Sequence, residues 1–207
     1  YNIIGSGNGA SIVLYNSCNL TIKDCSFSSN DGWGSALLIG QENAVVNISG
    51  TEFKSSRGNV IYGTKAKTVS LTDCVFRNNT SNEGDSGSAI YVESVGTYTI
   101  SNTDFIGNQC NLGKNVQKGG IIMADSNEAV LRFDNCNFEG NDGGYMGGAV
   151  ASSGTGHYGT IVDYDHPIMS GELTDGVRFP DRANGSSLNH TYISTVPENA
   201  KAGVFTG

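Results

Sequence analysis

Proline is nearly missing from this chain, at 3 of 207 residues. No run of about 18 apolar residues occurs, so no segment is a candidate membrane-spanning helix. Charge is scarce too. Asp, Glu, Lys and Arg make up 15% of the sequence, and 12 basic residues against 20 acidic ones leave a net charge of −8. That balance gives no basic footprint for nucleic acid or an anionic lipid surface, so neither is expected as a partner. The same scarcity argues against charge-driven disorder. Helical apolar spacing is absent: "TYTISNTDF" (97–105) alternates, which favours strands over helical repeats. The chain opens on Tyr1 without Met or a signal peptide, and reads as a processed product or an excerpt of something longer.

What is present is glycine, 29 residues of it, with abundant Asn, Ser and Thr, a composition suited to short strands joined by many tight turns. It is also repetitive. Phe27, Phe53, Phe76, Phe105 and Phe138 each sit in a similar frame: "TIKDCSFSSN", "NISGTEFKSS", "SLTDCVFRNN", "TISNTDFIGN", "RFDNCNFEGN". A second motif follows each one: "GSALLI", "GNVIYG", "GSAIYV", "GGIIMA", "GGAVAS". From Ala36, Val60, Ala89 and Ile121 to the next Phe there are 17, 16, 16 and 17 residues, whereas each Phe lies 9, 7, 13, 16 and 11 residues before the second motif. One half of the repeat is metrically fixed and the other absorbs the variation. A stacked solenoid requires this, because strands must align with their neighbours while corner loops project freely. Leucine-rich repeats share the period, but their Leu/Asn consensus is not found.

In such a stack equivalent residues recur about every 4.8 Å and form ladders. The five Phe residues are expected as one inward aromatic column. Asn30, Ser56, Asn79, Asn108 and Asn141, three residues further on, are expected at a bend, the asparagines bonding amide to amide between coils. Gly before each aliphatic run permits a tight corner. The FxxN frame followed by GGA[ILV] resembles the repeat of the polymorphic outer-membrane proteins. It fits at Phe27–Asn30, Phe76–Asn79, Phe105–Asn108 and Phe138–Asn141, departs at Ser56, and has its complete second half only at Gly147–Val150. The resemblance covers roughly residues 9 to 153 and implies a right-handed parallel β-helix at a cell surface.

The chain has five cysteines. Cys25, Cys74 and Cys136 each precede a repeated Phe by two residues, with Thr51 and Thr103 filling the turns between. Two coils apart means about 9–10 Å, beyond the roughly 7 Å reach of a disulfide, so these three read as small buried hydrophobes. Cys18 and Cys110 are left, and a bond between them stays open. Upstream, "GNGASIVL" (7–14) looks like the second motif of a turn whose beginning is missing; downstream, Pro167 breaks the pattern.

Candidate chemistry is sparse. "GSGNGA" (5–10) superficially matches a dinucleotide fingerprint, but the strand-like "SIVLYNS" follows where a helix is required. With Leu37, Ile61, Ile90, Ile122 and Val150 inward, Leu38, Tyr62, Tyr91, Met123 and Ala151 make an apolar outward stripe, with Tyr62 and Tyr91 neighbours on one face. No paired carboxylates of the glycosidase kind are seen in that strand. The corner loops, read as 28–34, 54–58, 77–87, 106–119 and 139–147, carry Trp33 and Tyr145, rings suited to sugars or peptides. "HYGTIVDYDH" gathers His157, Asp163, Asp165 and His166 as a weak divalent-cation set, against the plainer reading of a polar strand end, and Glu83 with Asp85 offers an equally weak one. Sequons at Asn19, Asn47, Asn78, Asn79, Asn184 and Asn189 carry no vote on compartment in so Asn-, Ser- and Thr-rich a chain.

The sequence thus predicts an all-β fold: a right-handed, single-stranded parallel β-helix of about six coils over residues 1–166, then a non-repetitive cap, tail or linker over 167–207. The expected function is a non-catalytic, secreted or cell-surface structural and interaction module, an adhesin passenger or a surface-fibre subunit. The alternative is a carbohydrate-active β-helix, whether lyase, hydrolase or glycan-binding module. No cofactor is expected. Partners are a protein or glycan at a cell surface, or further copies of the chain in a fibre.

Overall fold

The computed structural model describes residues 10–15, 17–40, 42–82, 87–110, 121–126, 129–143, 150–152 and 162–164, with 151, 152 and 162–164 placed by backbone alone. Short strands follow one another without a helix among the described residues. In chain order they are β1 (Ile12–Leu14), β2 (Asn19–Lys23), β3 (Ser26–Ser28), β4 (Leu37–Ile39), β5 (Ala44–Ser49), β6 (Glu52–Lys54), β7 (Ile61–Gly63), β8 (Ala66–Thr72) and β9 (Val75–Arg77). They continue as β10 (Ile90–Val92), β11 (Gly96–Ser101), β12 (Asp104–Ile106), β13 (Ile122–Ala124), β14 (Ala129–Asp134), β15 (Asn137–Glu139), β16 (Val150–Ser152) and β17 (Val162–Tyr164). Every third strand joins the same sheet. Sheet A is β1-β4-β7-β10-β13-β16, sheet B β2-β5-β8-β11-β14-β17 and sheet C β3-β6-β9-β12-β15. All pairings are parallel. This is a parallel β-helix, one strand of each sheet per coil. The expected segment 167–207 lies outside the described residues.

The repeated frame can be read position by position. Its Phe is the inward residue of sheet C. The rings stack at 5.2, 4.6, 5.0 and 4.7 Å from Phe27 through Phe138, within 17° of parallel. Such pairs contribute about 1 kcal/mol each beyond the area they bury. The frame also needs two bends, one on each side of sheet C, and each is made by a left-handed residue. The first column is Asp24, Gly50, Asp73, Asn102 and Asn135; the second is Ser29, Ser55, Asn78, Gly107 and Gly140, all with φ between 47° and 63°. Asp, Asn, Ser and Gly tolerate that conformation, whereas β-branched and bulky residues do not.

Between the first bend and the Phe stands the Cys/Thr column. Thr51 and Thr103 donate their hydroxyls to the carbonyls two residues back, Ser49 and Ser101, at 2.9 and 2.8 Å. The thiols of Cys25, Cys74 and Cys136 do the same toward Lys23, Thr72 and Asp134 at 3.1, 3.3 and 3.3 Å. The position therefore selects a small donor, and sulfur and oxygen alternate because both supply one. Burial pushes the Cys136 thiol up to about 11 and raises that of Cys74. Cys25 departs from the buried reading: it is exposed, because no described coil stacks over its side of the column. None of the five cysteines is in a disulfide.

After the second bend comes the amide ladder. Asn79 Nδ2 donates to Asn108 Oδ1 at 2.9 Å, and Asn108 Nδ2 to Asn141 Oδ1 at 3.0 Å. Each acceptor oxygen also takes the backbone N–H of the residue below, Asn79 N at 3.1 Å and Asn108 N at 2.9 Å. Asn79, Asn108 and Asn141 Nδ2 also reach back to the carbonyls of Phe53, Phe76 and Phe105 in the preceding coils. Ser56 interrupts the run. Its hydroxyl still accepts the Asn30 N–H at 3.3 Å, but Asn30 Nδ2 is left buried without a partner.

Sheets A and B close the interior with aliphatic columns such as Leu37, Ile61, Ile90 and Ile122, each fully buried. Two aromatic residues of sheet B break the aliphatic rule, Phe133 beside Ile100 and, more sharply, Tyr98. Tyr98 takes the place of Val46, Val69 and Leu131 in its column, wholly buried, and its hydroxyl finds no partner. Glycines make room for it: a Cβ on Gly63 would fall 1.9 Å from that oxygen, and one on Gly96 2.8 Å from the ring.

Two predictions follow from this interior. Ser56→Asn supplies the missing acceptor and should raise the unfolding free energy by about 1 kcal/mol, whereas Asn108→Leu strands buried donors and should lower it by about 3 kcal/mol or more. Asn108→Ser should fall between, since serine already serves at position 56. Denaturant unfolding followed by circular dichroism measures all three. In the same assay Tyr98→Phe should stabilise by about 1 kcal/mol. Gly63→Ala should destabilise by about 1–3 kcal/mol in the wild-type background and by clearly less beside Phe at 98.

Candidate functional site

The three sheets present different chemistry to solvent. Sheet B is hydroxyl-rich, with Thr68, Ser70 and Thr72 beside Thr97, Thr99 and Ser101, and Thr72 and Ser101 hydroxyls 3.2 Å apart. Sheet C is charged. Glu52 bonds Lys54 in its own strand and Arg77 in the next coil at 3.3 Å, and the Lys54 bond chiefly holds the Glu52 carboxyl below its ordinary value. Such exposed pairs stabilise a coil contact modestly. Sheet A is the apolar one.

Each strand of sheet A is three residues long, so only its middle residue points outward. The register aligns Val13, Leu38, Tyr62, Tyr91, Met123 and Ala151. Tyr62 and Tyr91 are stacked with ring centroids 5.1 Å apart and 13° between planes. Trp33 lies on the other side of Tyr62, 6.3 Å away and 10° from parallel. It comes from the loop before β4, and so supplies the aromatic ring at the level where the strand itself carries Leu38. Gly34 (φ 59°) brings that loop down onto the sheet: a Cβ there would sit 2.9 Å from Leu38 Cα. Trp33 remains 50% exposed.

The stripe is therefore narrower than the sequence suggests. Leu38 and Met123 do point outward, but both are buried, at 5% and 1% exposure, and neither belongs to the interior cluster. The open part is the stack Trp33–Tyr62–Tyr91. The corner loops are shorter too. After each strand of sheet C the chain keeps register through Asn30, Ser56, Asn79, Asn108 and Asn141 and then through bridges linking Asp31, Arg57, Thr80, Gln109 and Asp142. Variation begins only beyond that column, because the amide ladder and the bridges hold the backbone until then.

Sequence reasoning missed a second outward column, two residues after the first. Tyr15, Gly40, Thr64, Glu93 and Asp125 follow the strands of sheet A, and their N–H groups from Gly40 onward bond the carbonyls of Leu14, Ile39, Gly63 and Val92. Tyr15 is exposed and its ring covers Gly40. Glu93 and Asp125 are thus carboxylates in adjacent coils, about 4.8 Å apart along the axis. The Tyr91 hydroxyl donates to Asp125 Oδ2 at 2.6 Å. Burial first, then that bond and the charges of Asp125 and Glu93, push the Tyr91 phenol far above its ordinary value. The signal was legible only by continuing the alternation past the strand end, where no repeated letter marks it.

Tyr145, Asp165, His157, His166, Glu83 and Asp85 lie outside the described residues, and Asp163 is placed in β17 by backbone alone. Among the described residues no group of three or more His, Cys, Asp or Glu side chains could hold a metal ion, and no helix is long and apolar enough to cross a membrane.

A family model described as a right handed beta helix region matches residues 1–163. No curated protein and no solved structure matches the chain.

The Tyr91–Asp125 pair has a spectroscopic consequence. Folding keeps the phenol neutral, so its contribution to stability is complete below the ordinary phenol value of 10.0 and is lost as pH climbs above it. In an alkaline titration read by tyrosinate absorbance, Asp125→Asn should move one late-ionising phenol to lower pH, and Tyr91→Phe should remove it.

Proposed function

The chain belongs to the right-handed β-helix family, and on that premise we propose that it is a non-catalytic module of the cell surface or extracellular space, a rigid rod that docks a partner on the outer face of sheet A. The observation that carries this reading is the contrast among the three faces. Sheets B and C expose hydroxyls and paired charges, whereas sheet A exposes a stack of aromatic rings ending on the half-exposed Trp33. Aromatic residues are enriched at the centres of protein interfaces. The FxxN frame, similar to that of the polymorphic outer-membrane proteins, supports a surface location and a role as adhesin passenger or fibre subunit.

A carbohydrate-active module is the second reading, and Glu93 with Asp125 is what favours it. Retaining glycosidases place two carboxyls about 5 Å apart, close to the coil spacing. Such a pair works when an apolar pocket holds one carboxyl protonated, and Glu93 is exposed to water.

Incubating the full chain with a panel of polysaccharides, with and without calcium, should release neither reducing nor unsaturated ends. Turnover abolished by Glu93→Gln or Asp125→Asn would transfer the assignment to the second reading. Size-exclusion chromatography and negative-stain imaging separate the two surface roles, with polymers for a fibre subunit and single rods for a passenger.

A further inference from the structure

Both faces of the central ring of the outer stack are already used. Tyr62 and Tyr91 cover each other, and Trp33 covers the remaining face of Tyr62. A sugar chain that stacked ring by ring along the axis would need those faces. Exposed beside the stack are half of Trp33 and the Glu93 carboxylate. Indole offers the strongest aromatic attraction for a cation. Glu93 is exposed on the same side of the sheet as Tyr91, and Asp125 is held there by the Tyr91 hydroxyl. Lys65, at the corner after β7, is already paired with Glu42 at 3.0 Å. The whole chain carries −8. Charge and ring chemistry agree on the partner's sign.

Resting on the docking role argued above, we propose that this face binds a protein segment bearing arginine or lysine, one cation over Trp33 and another beside Glu93. Trp33 stands at the level of β4 and Glu93 follows β10, two coils on, so the two cations would be about 10 Å apart along the axis.

Trp33 is the only tryptophan in the chain, so its fluorescence reports this face alone. The full chain is titrated with an octa-arginine peptide and, separately, with cellohexaose. The peptide should quench Trp33, less so as salt is raised. Glu93→Gln should weaken binding by about fivefold, the upper end of what an exposed ion pair supplies. Glu139→Gln makes the same charge change at an exposed position of sheet C and should leave binding unaltered. Equal weakening by the two substitutions would overturn the proposal, because only overall charge would then be at work. Quenching by cellohexaose without any by the peptide would overturn it in favour of a glycan while leaving the docking role intact. Silence from both probes also overturns it; the docking role is judged separately by the turnover and imaging assays, which use neither probe.

Discussion

The structure depends on a buried amide that no coil can satisfy by itself. At the bend after sheet C the backbone N–H groups of Ser56, Asn79 and Asn108 turn inward and are met by the Oδ1 of the next coil's asparagine. That asparagine in turn reaches back to a Phe carbonyl of the coil before it, as Asn108 does to Phe76. Asparagine suits this place because one planar group carries both an acceptor with two lone pairs and two donors. An isolated coil would leave these groups to water and its Phe uncovered, whereas stacking both buries and pairs them. The stack is therefore the smallest stable unit, as in other solenoids, where each repeat is completed by its neighbours.

This is also why so much of the fold was legible. Phe and Asn recur because the interior repeats, and the distance from sheet A to the next Phe is constant because the strands must register. What could not be read lacked either a repeated letter or a fixed spacing. The Cys/Thr column looked like alternating fillers, since its common property, a donor to the carbonyl two residues back, is invisible until the bend is built. Trp33 belongs to a loop, and nothing in its neighbours announces that it stands in for an aromatic ring missing from β4. Glu93 and Asp125 lie just past their strands, where the hydrogen-bond ladder continues although the apolar pattern has stopped. Tyr98 is another case: it lies in an alternating stretch, but only packing shows that it is buried with its hydroxyl stranded against Gly63.

The interior and the outer faces answer to separate residues. Within sheet A the inward positions, such as Leu37, Ile61, Ile90 and Ile122, form one column, while the middle residues Leu38, Tyr62, Tyr91 and Met123 point to the opposite side of the sheet. A change at Tyr62 or Glu93 leaves the stacking constraint untouched; a change at Asn108 does not. Function can accordingly vary on the surface of a fold that hardly varies inside, which is the physical content of the rule that a fold does not fix an activity.

The corner loops extend that separation. They enter immediately before sheet A, after the bridging column has released the chain, and this is the part of the repeat whose length is free to change. The Trp33 loop emerges there beside the outer face of sheet A and lies on it over Leu38. Among the described residues the Trp33 loop is thus delivered to the aromatic face of sheet A. Coil stacking sets the pitch at which those loops follow one another, so a partner that spans several coils meets groups on a rigid ruler of about 4.8 Å. A recognition surface built this way owes its precision to the buried amides and its chemistry to the loops, and neither can supply the other's part.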